Sequence, residues 1–506
     1  MMALILLSAG FAYFLSLPFA SVIQGGGYRL SLFGRAKKAL LACGIYLIIG
    51  VAGEVFLLLY TSGILSFVIN LVVYLATGAF VIFIYRSMRI SMHFTRRLIR
   101  LLIAFVFLYI ALFIGLYFVS FHSVWAVTPA VAPFLLAGTA CLLSPFERMN
   151  NRRYIKRASD RILQSAALKI AVTGSYGKTS VRHYLEILFS RKYATLVTPE
   201  NYNTPLGIAK TAQFMTGKEE VLVLEMGARR RGDIAELCEM TRPDIGVITG
   251  IAPQHLETFH SLEEIIAEKN VLAENIPSEQ CVFYNLTDPI VRQMYDKREG
   301  NKIGVGYERA DYLISEENFG AGGSSFILSK KETKLHIDIP CAGKACVINF
   351  ALAAAVALEC GVAEKEVVAA AGRAFAPVHR FEVVRRGEVT VIDDSYNINP
   401  IGAKSALASL FQFAGERKIV YTSGMVEMGK EEERYNTELG KEIAKVASVA
   451  IVCEGRYGDA VVRGIEGKTE VLRVRDTREA SELFGKMLKK GDVLLIMSDL
   501  PRDYLL

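Results

Sequence analysis

Acidic residues are almost absent from the first third of this 506-residue chain, and no pair of cysteines has the spacing of a metal site. Positions 1–157 contain 14 Lys or Arg but only two acids, Glu54 and Glu147, so this stretch carries +12 and the remainder carries −5. Because the positive charge is confined to one apolar region, it does not indicate a nucleic-acid partner. The eight cysteines are scattered without a CxxC pair, which argues against zinc and against a secreted disulfide framework.

Apolar runs dominate the N-terminal part, and each is close to the roughly 20 residues that cross a bilayer. They fall at 1–23, 38–60, 64–85, 98–120 and 124–145. The connections after the first, third and fifth runs are rich in Lys and Arg, whereas the other two contain none. By the positive-inside rule, this alternation predicts an all-α transmembrane domain of about five helices over residues 1–145. The expected location is the cytoplasmic (inner) membrane, multi-pass, with the N-terminus outside, the later domains in the cytosol and the lipid bilayer as a partner.

Two features of this region have open interpretations. Residues 146–166 are basic and helix-compatible, which predicts a juxtamembrane linker in the headgroup layer. Glu54 is the one acid inside an apolar run. It is either a functional group or a hydrogen-bonding partner of a neighbouring helix.

After residue 167, short β-rich runs alternate with helical segments, which is typical of a parallel α/β sheet. The run Leu168–Thr173 leads into a loop and a helical stretch, and the loop residues are Gly174, Ser175, Tyr176, Gly177, Lys178, Thr179 and Ser180. In a strand–loop–helix of this kind, backbone N–H groups face phosphate, a lysine neutralises it and a hydroxyl reaches Mg²⁺. The standard loop has a glycine where Val172 stands, so this pattern alone is moderately specific for a nucleotide.

Further motifs follow in an order that suits a nucleotide-binding domain. The buried strand 221–227 contains Glu225, an acid placed to hold a metal at the carboxyl edge of the sheet. The next strand is followed by His255. Ser261 then begins a helix that carries Lys269 and has an acid three residues after its cap.

The order TGSxGKTS, NxNxPLG, LEMG and PxHLExFxSLExIxxxK resembles the central domain of the Mur ligases of cell-wall precursor synthesis, closest to the D-alanyl-D-alanine-adding type. The resemblance covers roughly residues 168–500. It implies that Lys178, Lys269 and His255 are catalytic. The resemblance also implies that Lys178 and Thr179 bind the ATP phosphates and Mg²⁺, and that Asn201, Asn203 and Thr204 lie near the acceptor carboxylate. It implies that Glu225 and His255 are metal ligands and that Lys269 carries a carbamate bound to a second Mg²⁺. Asn285 is expected near the adenine.

The C-terminal part extends the resemblance. An Ala-rich helix over 344–360 carries Asn349, and Arg380 resembles an arginine that helps hold the nucleotide. Residues 389–400 resemble a DDxYNANP motif, which implies nucleotide contacts for Asp394 and Asn397 and substrate contacts for Tyr396 and Asn399. Residues 424–429 resemble a GxMxELG turn. We therefore predict an ATP-binding central domain over 167–340 and a Rossmann-like C-terminal domain over 341–506.

The resemblance implies an ATP-dependent ligase that forms an amide through an acyl phosphate, which an amine such as D-Ala-D-Ala attacks. The family's N-terminal uridine-binding domain has no counterpart here, so the acceptor is either a nucleotide-linked or a lipid-linked peptide precursor. The triple arginine 229–231 either contacts an anionic substrate or forms a solvated loop, and residues 497–502 depart from the family's KGSR-like segment. The alternatives are a poly-γ-glutamate-type membrane ligase and an ATP-driven transporter or scaffold. The complete third domain argues against the first, and the retained site residues argue against a scaffold.

Overall fold

The structure, a computed structural model, describes residues 93–119, 123–199, 201–320 and 322–498, together with scattered residues between 10 and 28. Its contacts divide the chain into two compact units, of which the first reaches Asn151 and the second covers Arg152–Asp499. The predicted apolar runs at 38–60 and 64–85, and Glu54, lie outside the described residues.

Two long helices are described in the first unit, α1 (Arg96–Val119) and α2 (Ser123–Gln164), and α2 continues into the second unit. The buried side chains of α1 recur every three or four residues, which is the spacing of one helix face. They are Leu98, Leu101, Leu102, Phe105, Tyr109 and Phe113. Arg100 of α1 and Glu147 of α2 form a two-pronged ion pair, with an Nε–Oε1 distance of 2.8 Å and an Nη2–Oε2 distance of 2.9 Å.

Within the described residues, Arg96–Gly115 is the one stretch that is long and apolar enough to cross a bilayer, and 33% of it is buried inside the protein. A single helix of this kind is weak evidence for a span because core helices of globular proteins have the same length and composition. The predicted five-helix domain is therefore unconfirmed. The predicted linker over 146–166 lies mostly within α2, which runs without a break from Ser123 to Gln164.

The second unit begins with a nine-stranded sheet in the order β2-β3-β1-β4-β5-β6-β7-β8-β9. Its first seven strands in this order are parallel, and the β7–β8 and β8–β9 pairs are antiparallel. The strands are β1 (Leu168–Thr173), β2 (Thr195–Val197), β3 (Val221–Glu225), β4 (Ile245–Ile248), β5 (Val282–Asn285), β6 (Lys302–Gly306), β7 (Tyr312–Gly320), β8 (Gly323–Lys330) and β9 (Thr333–Ile339).

Helices cover both faces of this sheet, and alternate side chains of one strand enter different cores. In β3, Leu222 and Leu224 pack in the core that includes helices 233–241 and 262–275, whereas Val221 and Val223 pack in the core that includes helices 178–189 and 344–359. The helices are α3 (Lys178–Phe189), α4 (Pro205–Thr211), α5 (Asp233–Thr241), α6 (Leu256–Phe259), α7 (Leu262–Asn275), α8 (Pro289–Lys297), α9 (Lys344–Glu359) and α10 (Glu364–Ala371). The serine cap predicted at Ser261 is confirmed, since its side chain accepts a hydrogen bond from the Glu264 N–H.

A six-stranded sheet follows, in the order β10-β11-β15-β12-β13-β14, and all of its pairs are parallel except β10–β11. Its strands are β10 (Glu382–Arg386), β11 (Val389–Asp393), β12 (Lys418–Thr422), β13 (Val449–Cys453), β14 (Glu470–Val474) and β15 (Val493–Met497). Its helices are α11 (Pro400–Gln412), α12 (Glu432–Val446), α13 (Arg456–Ile465) and α14 (Thr477–Met487). This arrangement agrees with the predicted Rossmann-like C-terminal domain.

The helix α9, predicted as part of the C-terminal domain, packs instead with the first sheet. Val347 and Phe350 are fully buried in the same core as Val181 and Leu185 of α3. The cause is composition, because α9 carries an unbroken series of small apolar residues that fits closely against a helix and a sheet. We therefore favour a domain boundary in the segment between α10 and β10.

The strand order positions the candidate site. β1 pairs with β3 on one side and with β4 on the other. The connection after β1 and the connection after β3 therefore run in opposite directions along the sheet, which leaves a crevice at the carboxyl end of β1. Ligands of open parallel sheets bind at such a crevice, outside the carboxyl ends of the strands. The loops after β1, β3 and β4 meet there.

Candidate active site

The loop between β1 and α3 has the geometry of a phosphate cradle. Gly174 has a φ of 153° and Gly177 a φ of 81°. A Cβ at Gly174 would lie 2.2 Å from Oγ1 of Thr249, and one at Gly177 would lie 2.7 Å from Oδ1 of Asn349. Both positions therefore require glycine. The side chain of Lys178 bends back over the loop, and its Nζ donates to the Gly174 carbonyl at 2.8 Å.

Glu225, at the end of β3, brings several predicted residues together. Its Oε2 accepts a hydrogen bond from Oγ1 of Thr179 at 3.0 Å, and its Oε1 accepts one from Nδ2 of Asn203 at 3.1 Å. Carboxylate and hydroxyl oxygens are the ligands that Mg²⁺ prefers. The donor set therefore fits a magnesium ion beside the phosphate cradle.

Arg182 is a further neighbour of Glu225 that sequence reasoning missed. It is 4% exposed, its Nη1 donates to the Thr198 carbonyl at 2.5 Å and its Nε lies 3.8 Å from Oε2 of Glu225. Nothing in the local sequence of α3 distinguishes it from an ordinary solvated arginine. Its burial depends on the Thr198 carbonyl after β2 and on Glu225 at the end of β3, which follow α3 in the chain.

Two lysines close to this carboxylate bind protons less tightly than usual. Burial lowers the pKa of Lys178 to about 8, with Arg380 adding to the shift and Glu225 opposing it. Burial, together with the charge of Lys178, lowers the pKa of Lys269 on α7 to about 7, although Glu268 opposes this shift. The site thus holds two cationic groups that repel each other, and an anion bound near them would stabilise both.

His255 lies on the loop after β4 in the left-handed conformation, with a φ of 54°. Its Nδ1 is hydrogen-bonded to the carboxylate of Glu427, from the turn after β12. Burial lowers the pKa of His255, Glu427 opposes this shift, and the charges of Arg229 and Lys269 add to it. The neutral imidazole that results is the form that binds metals. The pairing with Glu427 was not predicted from the sequence.

Asn285, the predicted adenine contact, ends β5 and is 2% exposed. Its Nδ2 donates to the Thr249 carbonyl at 2.7 Å, and its Oδ1 accepts from the Thr287 N–H at 3.0 Å. The amide group therefore links β5 to the strand end beside the phosphate cradle. Its role in the described structure is to hold this corner of the site together.

Asp288 is a second residue that sequence reasoning missed. Its Oδ2 accepts hydrogen bonds from the hydroxyl of Tyr176 at 2.7 Å and from the Ile251 N–H at 2.8 Å, and its Oδ1 caps the first turn of α8. Burial beside this carboxylate raises the pKa of the Tyr176 hydroxyl. The available signal was Asp288 before Pro289, a typical helix start. That pattern could not reveal the contact with the phosphate loop.

Arg380 extends from the segment before β10 to the phosphate loop. Its Nη2 donates to Oγ1 of Thr179 at 3.4 Å, and its guanidinium lies 3.7 Å from the centre of the Tyr396 ring. The residues on either side, His379 and Phe381, have φ angles of 60° and 56°. Such conformations are uncommon for non-glycine residues and indicate that surrounding contacts hold this segment.

The two aspartates at the end of β11 supply those contacts. Oδ2 of Asp393 pairs with Nδ1 of His379 at 2.7 Å, and Oδ1 of Asp394 accepts from the Phe381 N–H at 3.2 Å. Burial raises the pKa of Asp394 to about 6, although Arg380 opposes the shift. Asp394, predicted to contact the nucleotide, thus anchors the backbone on one side of Arg380.

Other predicted residues have local roles. The Thr204 side chain caps α4 by accepting from the Gly207 N–H at 3.2 Å, and Asn399 caps α11 by accepting from the Gly402 N–H at 2.9 Å. The Ser175 hydroxyl donates to the Ala252 carbonyl at 3.0 Å. The remaining predicted residues are exposed Asn201 and half-buried Ser180 and Asn397.

Comparison with known proteins agrees with this architecture. Residues 172–357 match the Mur ligase middle domain, and residues 379–500 match the Mur ligase, glutamate ligase domain. The UDP-N-acetylmuramoyl-tripeptide–D-alanyl-D-alanine ligase of Mycobacterium tuberculosis is 30% identical over 415 residues, which cover 73% of this chain and 78% of that protein. The chain belongs to the Mur ligase family. It is an ATP-dependent ligase that forms amide bonds.

More distant relatives are Mur ligases as well. The ligase of the same name from Bacillus subtilis is 27% identical over 334 residues, covering 64% of this Mur ligase and 72% of that protein. Among solved structures, the MurF ligase of Thermotoga maritima in complex with ADP is similar with a TM-score of 0.63 at 24% identity. The matched region covers 70% of this chain and 82% of the chain in that structure. This second likeness supports the fold.

The predicted location, multi-pass in the cytoplasmic membrane with the N-terminus outside, is contradicted. The Mur ligases that match this chain are named for a UDP-linked precursor, and a nucleotide-linked substrate does not require a bilayer. Within the described residues, Arg96–Gly115 alone could cross a bilayer, and a third of it is buried inside the protein. The predicted location rested only on the apolar runs and the basic connections between them, whereas the five-helix domain itself stays unconfirmed. The lipid bilayer is likewise unsupported as a partner.

Proposed function

We propose that this Mur ligase joins D-alanyl-D-alanine to a UDP-N-acetylmuramoyl tripeptide at the expense of ATP. The observation that carries the proposal is the convergence of Lys178, Thr179, Glu225 and Arg380 at the carboxyl edge of the first sheet. The identity of the two substrates rests on the names of the relatives, of which the mycobacterial ligase is 30% identical. The comparisons give no support to a lipid-linked acceptor, a poly-γ-glutamate-type ligase or a transporter.

Lys178 and the loop from Gly174 to Ser180 would bind the phosphates of ATP. The loop leads directly into the N-terminal end of α3, and the positive end of this helix favours negative charge there. Arg380 reaches the same place from the segment before β10, so it would neutralise charge that develops on the transferred phosphoryl group. Tyr176 and Asn285 lie on the side where we propose that the adenine binds.

Thr179, Glu225, His255 and Lys269 would hold two Mg²⁺ ions. These ions supply charge neutralisation for phosphoryl transfer when bound. A protonated Lys269 cannot be a ligand, but a lysine with a pKa of about 7 is about half neutral at pH 7 and can react with CO₂. The resulting carbamate is an anion, which would replace the repulsion between Lys269 and Lys178 by attraction.

The proposed reaction is balanced without a further reagent. The γ-phosphoryl group passes from ATP to a carboxylate oxygen of the tripeptide, and ADP leaves. The amine nitrogen of D-Ala-D-Ala then bonds to the carbonyl carbon, the phosphate leaves and the amine loses a proton. Asn203, which is hydrogen-bonded to Glu225, lies where the acceptor carboxylate would bind. Asn201, Thr204, Tyr396 and Asn399 complete the proposed substrate-binding group.

The test is phosphate release and product formation by the full chain with ATP, Mg²⁺, UDP-N-acetylmuramoyl tripeptide and D-Ala-D-Ala. We expect turnover that requires all four and is lost in Lys178→Ala. Lys218→Ala, an exposed lysine on a surface turn, is the matched control and should retain turnover. Phosphate release that occurs only with another carboxylate or another amine would refute the proposed substrates, and turnover retained in Lys178→Ala would refute the proposed site.

A further inference from the structure

The turn after β12 contacts the predicted metal ligand His255 through a single carboxylate, that of Glu427. We propose that Glu427 is a positioning residue, which orients His255 for metal binding and makes the metal site depend on the placement of the C-terminal domain. The inference rests on the proposed function, because it assumes that His255 binds a metal. Neither the resemblance nor the comparisons assign a role to Glu427.

The chemistry of the pair determines which nitrogen of His255 is available. In its ionised form the carboxylate of Glu427 only accepts hydrogen bonds, so we assign the donor role in this pair to Nδ1 of His255. In a neutral imidazole the other nitrogen, Nε2, then carries the lone pair. A carboxylate that holds one nitrogen of a histidine fixes the ring and increases the basicity of the nitrogen that binds metal. Glu427 therefore presents Nε2 as the ligand atom.

Backbone contacts hold the carboxylate in place. The Glu257 N–H lies 3.4 Å from the Glu427 carbonyl oxygen, and a Cβ at Gly429 would lie 3.5 Å from the Leu256 carbonyl carbon. The turn and the His255 loop are thus joined by the His255–Glu427 side-chain pair and by the Glu257–Glu427 backbone pair, and Leu256 bounds the space beside Gly429. One side-chain contact alone could form by chance, but these contacts also determine the direction from which Glu427 approaches.

The turn itself is fixed by the second sheet and its helices. The side chain of Asn436, on α12, accepts from the Met425 N–H at 2.7 Å and donates to the Met425 carbonyl at 3.0 Å. Asn436 is fully buried, and Gly424 at the start of the turn has a φ of 82°. A movement of the C-terminal domain would therefore carry Glu427 with it and withdraw it from His255.

Backbone strain on both sides of the contact is an independent indication. His255 and Glu427 have φ angles of 54° and 59°, a region that non-glycine residues rarely occupy. Such residues persist where the surroundings determine them, and they cluster at functional sites. The two strained residues here are the two that face each other across the domain contact.

The experiment measures Mn²⁺ binding by electron paramagnetic resonance on the full chain with ADP, alongside turnover. We compare wild type, Glu427→Gln, Glu427→Ala, His255→Ala and the control Glu431→Gln. Glu431 lies on the same turn but pairs with Arg434 at 3.0 Å. Loss of a carboxylate that supports a metal ligand typically weakens metal binding about 10- to 100-fold. We expect that loss in Glu427→Ala and a smaller one in Glu427→Gln, because the glutamine oxygen can still accept from Nδ1.

A merely structural role would not produce this pattern. Positioning predicts that kcat of Glu427→Ala recovers as Mn²⁺ is raised, with an unchanged melting temperature, and that Glu431→Gln behaves as wild type. Wild-type Mn²⁺ affinity and turnover in Glu427→Ala would overturn the inference while leaving the proposed function intact. Absence of Mn²⁺ binding by the wild type, or binding unaffected in His255→Ala, would overturn both the proposed metal site and this inference.

Discussion

Replacing Lys269 by methionine should abolish turnover and, at the same time, stabilise the folded protein near neutral pH. Lys269 is 3% exposed, and burial with the neighbouring charge of Lys178 lowers its pKa from 10.5 to about 7. Methionine has a similar length and no charge, so the variant keeps most of the packing while removing the cost of burying an ammonium group. The residue proposed to be essential for chemistry is therefore one that destabilises the fold.

The size and the pH dependence follow from the two pKa values. Below pH 7, Lys269 is protonated in both the folded and the unfolded chain, and the folded protein bears the whole cost of the buried charge. At about 1.4 kcal/mol for each pH unit between about 7 and 10.5, that cost is up to about 5 kcal/mol. Above pH 10.5 the amine is neutral in both states and the cost is absent. The stability of the wild type should therefore rise relative to the methionine variant as the pH increases through this window.

The assay is thermal unfolding of the wild type and Lys269→Met between pH 6 and pH 9.5, in buffer free of CO₂ and metal. Near pH 6.5 the variant should melt several degrees higher, and the difference should shrink steadily as the pH rises. Lys218→Met, at an exposed position, should show no such trend. A difference that is absent near pH 6.5, or constant over the whole range, would refute the reasoning.

Three further outcomes are expected. Turnover should fall when CO₂ is removed from the buffer and return on addition of bicarbonate, because Lys269 would lose its carbamate; constant activity would exclude the carbamate. Asp288→Ala should lower the free energy of unfolding by about 2–4 kcal/mol and raise KM for ATP, since Tyr176 and three backbone N–H groups lose their acceptor; a wild-type melting temperature and KM would contradict this. Asp492→Ala should cost about 3 kcal/mol at pH 7 without changing kcat, because the buried carboxylate pairs with Arg417 through two hydrogen bonds. Burial alone would raise the pKa of Asp492, but hydrogen bonds from Arg417 and a backbone N–H lower this pKa below 3.8. The stabilisation from the ion pair should therefore disappear as the pH falls through that region.

The pH dependence of turnover has one further source in the structure. A neutral Lys269 is required for the carbamate, and its fraction rises with pH around a pKa of about 7. Lys178 acts as a cation, and its charged fraction falls around a pKa of about 8. Before ligands bind, these two requirements are both met only in a narrow pH range, between about 7 and about 8. Bound phosphates would raise the pKa of Lys178 and widen that range.

Much of the central domain could be predicted from the sequence because its evidence is local. A strand, a glycine loop and a helix are encoded within about a dozen residues, and Gly174 and Gly177 are needed for backbone reasons alone. Ser261 could be recognised as a cap because its partner is the N–H of Glu264, three residues on. The Ala-rich composition likewise predicted α9, although not the sheet against which it packs.

Contacts between distant segments could not be predicted in this way. Arg182 resembles a surface arginine until β2 places the Thr198 carbonyl beside it, and Asp288 resembles an ordinary helix cap until the loop brings Tyr176 to its second oxygen. The N-terminal region shows the opposite failure, since a consistent pattern of apolar runs and basic connections predicted a location that the relatives contradict.

By itself, therefore, the sequence determined the order of strands and helices, the glycine loop and the residue types available for ligase chemistry, because these depend on neighbours along the chain. The tertiary structure alone decided that Lys269 loses much of its affinity for a proton and that Arg380 reaches Thr179 from the segment before β10. It also decided that His255 faces a carboxylate 172 positions away. Burial and electrostatic interactions act through space, and only the folded chain brings these groups within range of one another.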